Sequence, residues 1–119
     1  MILLVVIILG SIVYIYFLDN AANNLISMIE KLEDTVKADD WEEAQKQLDN
    51  LQKEWKKTER WMTTLVDHQE IDTIKITLSK LSQYVDFKKT ADFMAESTTL
   101  KLLIEHIPGK EKCNISNLL

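Results

Sequence analysis

The chain has 119 residues, with 19 acidic against 14 basic side chains, a formal net charge of −5, two glycines, one proline and one cysteine. A length of this order holds one domain plus an appended segment. So few turn-formers exclude an all-β fold, the lone Cys113 excludes an internal disulfide, and the acidic balance excludes nucleic acid as the main partner.

The first element is the uncharged run from Ile2 to Leu18. At 1.5 Å per residue, about 17 residues span roughly 26 Å, the short end of what crosses a bilayer. Tyr14 and Tyr16 lie near one end, where amphipathic rings favour the headgroup level. No Lys or Arg precedes the run, and Ala21–Ala22 make a poor cleavage site. It therefore reads as a retained anchor over residues 1–22 rather than a signal peptide. A buried core helix is the third option, and the remaining chain is small for covering it on all sides. The amino end carries no positive side chain and the first cations after the run, Lys31 and Lys37, are mixed with acidic residues, so the positive-inside rule has little to count; a short anchor before an acidic domain points to an extracytoplasmic placement.

Residues 23–119 read as the water-facing domain. Leu25, Met28 or Ile29, Leu32 and Val36 form an apolar stripe at helical spacing. Nothing between Asp19 and Thr35 breaks a helix, so the anchor helix is expected to run on, with Asn20, Asn23 and Asn24 a weak spot where a kink or loop would hinge anchor to domain. Lys37-Ala38-Asp39-Asp40 reads as a turn, and Asp40 with Glu43 has capping-box spacing. The next helix starts at Trp41. Its stripe of Trp41, Ala44, Leu48, Leu51, Trp55, Thr58, Met62 and Leu65 alternates threes and fours, the seam of an antiparallel bundle.

Past Leu65 the apolar phase jumps to Ile71, Ile74, Leu78, Leu81 and Val85. A break near Val66–Gln69 with a new helix from about His68 explains the jump, since Asp67 and Glu70 repeat the capping spacing. One long helix with a shifted face is the alternative. Tyr84 to Lys89 is the next turn. The last helix carries Ala91, Phe93, Met94, Leu100, Leu103, Ile104 and Ile107, and Pro108-Gly109 should end it. Ile115, Leu118 and Leu119 are spaced to dock a final half-turn. The helix pairs resemble each other weakly, as tetratricopeptide-like hairpins do, with no fixed period. The predicted fold is all-α: a transmembrane helix followed by a small antiparallel three- to four-helix bundle.

The densest polar cluster is Asp67-His68-Gln69-Glu70-Ile71-Asp72. His68 and Asp72 share a helix face, and a histidine with a carboxylate binds a divalent metal or relays a proton. Glu105 and His106 would be further ligands if the last helix lies alongside. The spacing matches no standard metal site, and capping by Asp67 and Glu70 accounts for the same residues. His106 alone suits a helix C-terminus. Trp61 lies off the seam, as a second packing contact or a partner-binding residue.

Trp41-Glu42-Glu43-Ala44, then Leu48, Leu51, Trp55 and Trp61, Asp67-His68-Gln69-Glu70-Ile71 and the closing Asn114-Ile115 carry a resemblance over nearly the whole chain. It resembles an uncharacterised bacterial family of short, N-terminally anchored helical proteins known only as a domain of unknown function. The chain departs from that pattern in lacking basic residues before the anchor. The resemblance implies no substrate or cofactor. The expectation is a membrane-bound module, not an enzyme, that binds a protein partner or itself, with Trp61, His68 and Glu70 as candidate contacts. The alternatives are a metal- or ligand-sensing domain or weak enzyme using His68, Glu70 and Asp72, and a coiled-coil-like spacer.

Overall fold

A computed structural model describes residues 1–62 and 67–118, with side chains for all of these except Trp61 and residues 110–118. Four helices follow one another, α1 (Ile2–Lys37), α2 (Trp41–Met62), α3 (His68–Asp86) and α4 (Thr90–Leu118), and no strand occurs among the described residues. They run up and down as a bundle in which α1 packs on α2 and α4, and α3 packs on α4 and, least extensively, on α2. The molecule is 57 Å long and 20 Å across.

The core is built by heptad spacing. Leu18, Ala22, Leu25, Ile29, Leu32 and Val36 are buried on α1, and Ala44, Leu48, Leu51, Trp55 and Met62 on α2. Ile71, Ile74, Leu78, Leu81 and Val85 complete it from α3, with Phe93, Leu100, Ile104 and Ile107 from α4. Three-four alternation keeps each seam facing inward, and each large apolar side chain contributes about 1.5–3 kcal/mol of burial. Trp41, Met28, Met94 and Leu103 pack partly buried against this core, while Ala91 is exposed. Leu65 and the docking contacts of Ile115, Leu118 and Leu119 lie outside the described side chains.

Two expectations change, and one is met only in part. The helix runs on past the anchor as expected, with no loop at Asn20–Asn24: α1 is unbroken over 36 residues. Leu18 and Leu25 carry the buried seam on either side of the asparagines, with Ala22 buried between them, and the Asn24 side chain donates to Glu54 of α2 at 3.4 Å. Packing thus outweighs the weak helix propensity of asparagine. The bundle core consequently begins inside the run read as an anchor.

Pro108-Gly109 does not end α4, which continues to Leu118. Proline removes one backbone bond to the preceding turn, but Ile107 and Pro108 are both buried against the bundle. Gly109 does not take the left-handed conformation that terminates helices.

A fixed internal period also exists. Shifting by 49 positions, seven heptads, maps Leu25, Ile29, Leu32 and Val36 onto Ile74, Leu78, Leu81 and Val85. The two turns match as well. Asp39 donates to Val36 O at 3.0 Å and Lys88 to Val85 O at 3.2 Å, while Asp40 bonds Thr35 O and Lys89 bonds Tyr84 O. Asp39 (φ 56°) and Lys88 (φ 54°) both adopt the left-handed conformation. The repeat is hidden in the sequence because equivalent core residues differ in size, as Ala44 and Phe93 do, and left-handed turns here use no glycine.

The caps follow the expected residues, and at α2 the reciprocal half of the box is replaced, since Asp40 N donates to Thr35 O. Asp40 Oδ1 accepts from Glu43 N at 3.3 Å, while the Glu43 carboxylate accepts from the Gln47 side chain. Asp67 caps α3 by accepting from Gln69 N at 3.0 Å.

Candidate functional site

The most unusual surface is the first third of α1. Ile2, Leu3, Ile7, Leu9, Ile12 and Val13 are each more than half exposed. One window of α1 has mean hydropathy 2.5 and is 6% buried; among the described residues this is the one helix long and apolar enough to cross a membrane. The core helix of a globular protein would be covered; this run is not.

The deepest polar cluster lies between α1 and α4, about one turn before the end of α1. Ser97 donates to Glu33 Oε2 at 2.5 Å and Lys101 Nζ lies 2.8 Å from Glu33 Oε1. The Glu33 side chain is 7% exposed and that of Lys101 25%. The hydrogen bond to Glu33, and then its charge, hold the Lys101 ammonium above the usual lysine range against the opposing cost of burial. Ser97 occupies a core position between Phe93 and Leu100, so a polar residue in the apolar phase was the signal for this cluster.

The polar stretch at the start of α3 is arranged differently from the His68–Asp72 expectation. His68 and Asp72 are both exposed. Helix α4 does lie alongside, and it is Glu70 that meets it, 3.7 Å from His106 Nε2. The Glu70 side chain is largely covered and that of His106 is 64% exposed. No group of three or more His, Cys, Asp or Glu is placed to hold a metal among the described residues. The Trp61 side chain, a candidate partner contact, lies outside the described residues.

Two further ion pairs tie neighbouring helices, Lys75 to Glu59 at 2.8 Å and Lys80 to Glu96 at 3.7 Å. The hydrogen bond and charge of Glu59 raise the Lys75 pKa. On the outside of the bundle, Ile76 precedes Lys80 by one turn and Leu102 precedes His106 by one turn. Both apolar side chains are about 60% exposed. They flank the α3–α4 seam, since Lys80 and His106 each pair across it.

Fold and surface together define a class: a four-helix up-and-down bundle whose first helix continues beyond the core as a bare apolar rod. The chain belongs to the family described as domain of unknown function DUF4363, whose model matches residues 12–118. That match spans the whole bundle and the last turns of the apolar run. No curated protein and no solved structure matches the chain.

Proposed function

We propose that the protein is a single-pass membrane protein whose bundle stands in water, outside the cytoplasm, and binds a protein partner or a second copy of itself rather than catalysing a reaction. The observation that carries the reading is the exposed apolar rod of α1, continuous with a bundle that bears every charged side chain. In lipid, the rod satisfies its backbone polar groups internally and its side chains are solvated by acyl chains. The heptad seams themselves are occupied within the chain, so a partner meets the outside. Ile76 and Leu102 beside α3 and α4, with exposed His68 nearby in the chain, offer the apolar and polar contacts that interfaces combine.

Two measurements test this. The full chain should stay with membranes through alkaline carbonate washing and move to the supernatant only with detergent. Recovery from the aqueous fraction without detergent overturns the anchoring. Pull-down from detergent-solubilised membranes should then return a specific partner or a self-associated form that Ile76→Asp with Leu102→Asp disrupts. Absence of both overturns the binding role.

A further inference from the structure

At the end of the bundle nearest the apolar rod, a groove of 560 Å³ opens between α1 and α2. That volume falls within the roughly 300–1,000 Å³ of small-ligand sites. Its α1 wall is Tyr14, Phe17 and Ala21, continuing into Asn20 and Asn24; its α2 wall is Glu54, Lys57 and Thr58. Along α1 the lining therefore changes from aromatic and apolar to amide over about 15 Å, ten residues of helix. The apolar end joins the bare rod, and Phe17 itself is 59% exposed. At the far end Asn24 closes the groove by its bond to Glu54.

We propose that this groove holds one phospholipid of the surrounding bilayer, its acyl chain on Tyr14, Phe17 and Ala21 and its phosphate near Lys57. The proposal rests on the membrane reading given above. If the rod lies in lipid, Tyr14 and Phe17 sit where chains meet headgroups, and the groove opens directly onto them. Lys57 is the cation of the lining, and its side chain is 72% exposed. Its ion pair with Glu54 is long, 3.9 Å, and exposed pairs of this kind hold weakly. The ammonium is therefore free to turn to a phosphate oxygen. Asn20 offers an amide and Thr58 a hydroxyl to the glycerol and ester oxygens. From the aromatic side chains, past an exposed lysine roughly level with Ala21, to the Asn24 amide, the lining runs from apolar to polar in an order that matches the chemistry of a phospholipid along its length.

The experiment uses the full chain in vesicles of phosphatidylethanolamine and phosphatidylglycerol in equal amounts. They are doped with a phosphatidylcholine bearing a photoactivatable diazirine near the glycerol end of one acyl chain. After illumination, labelled peptides are mapped by mass spectrometry. Labelling is expected in the apolar part of α1, which reports insertion, and also in α2 around Glu54–Thr58, which reports an occupied groove. Ala21→Trp, which fills the groove, should reduce α2 labelling several-fold and leave α1 labelling unchanged. Lys57→Glu, an exposed position whose replacement leaves the fold intact, should do the same.

Labelling of α1 without α2 overturns the groove proposal while leaving the membrane reading intact. So does α2 labelling that survives both substitutions. Absence of labelling from both helices, with the chain in the aqueous fraction, overturns the membrane reading and the groove with it.

Discussion

Lys101 and Glu33 meet at 2.8 Å across the α1–α4 seam, 68 residues apart in the chain. Glu33 also receives the Ser97 hydroxyl, so both of its oxygens are engaged within the bundle. Breaking the pair from one side is the direct measure of what it does. Lys101→Met leaves a covered carboxylate without its cation. A wholly buried pair would lose about 3–5 kcal/mol; with Lys101 a quarter exposed, solvent screening reduces the expected loss to about 1–3 kcal/mol. Chemical denaturation of the full chain in detergent micelles reads it. Glu33→Leu combined with Ser97→Ala and Lys101→Met should recover most of the loss, because no polar group is then left stranded.

The same pair sets an alkaline limit. Lys101 titrates above its ordinary value of 10.5 in the folded chain. A raised folded pKa means that the contribution is fully present below the unfolded value and is lost as pH rises through the folded one. Stability should therefore fall as pH climbs past 10.5, and Lys101→Met should flatten that part of the fall. Lys75, raised by Glu59, acts in the same direction from the surface, so a residual slope should persist. Denaturation midpoints of the two chains across the alkaline range distinguish these outcomes, and parallel curves would remove Lys101 from the account.

Leu18 tests where the bundle begins. It is fully buried, whereas Leu9, more than two turns earlier on the same helix, is 57% exposed. Leu18→Ala should destabilise the bundle by about 2–5 kcal/mol through lost transfer energy and the cavity left behind. Leu9→Ala should leave the denaturation midpoint unchanged. Equal effects would mean that the core does not reach into the apolar run.

The two hairpins predict twin responses at their turns. Asp39 and Lys88 hold the same left-handed conformation, which costs a side-chain-bearing residue roughly 1–2 kcal/mol. Asp39→Gly and Lys88→Gly should each stabilise by about 0.5–1 kcal/mol, the relief being partly offset by the flexibility of glycine when unfolded. Thermal denaturation of the single and double variants reads this. Unequal or opposite shifts would show that the turns differ in what holds them.

Much of this architecture was legible in the residues. The seams of α2 and α3, the turn at Ala38–Asp39, the break before His68 and the apolar rod all follow from spacing, because helical periodicity places a side chain on a face without knowledge of what it will meet. Asp40 and Asp67 were readable as caps for the same local reason, since a carboxylate accepts from a backbone N–H two or three residues away.

What spacing could not decide was everything that depends on a second helix. Pro108 stays inside α4 because its burial against the bundle outweighs a lost backbone bond. Asn20–Asn24 stays helical because the buried seam brackets it. Glu70 turns to His106, and Glu33 to Ser97 and Lys101, because antiparallel packing brings together groups far apart in the chain. Local chemistry assigned each segment its helix and its inward face; the register between helices, and hence every polar pairing and the groove beside Phe17, exists only once the four are packed.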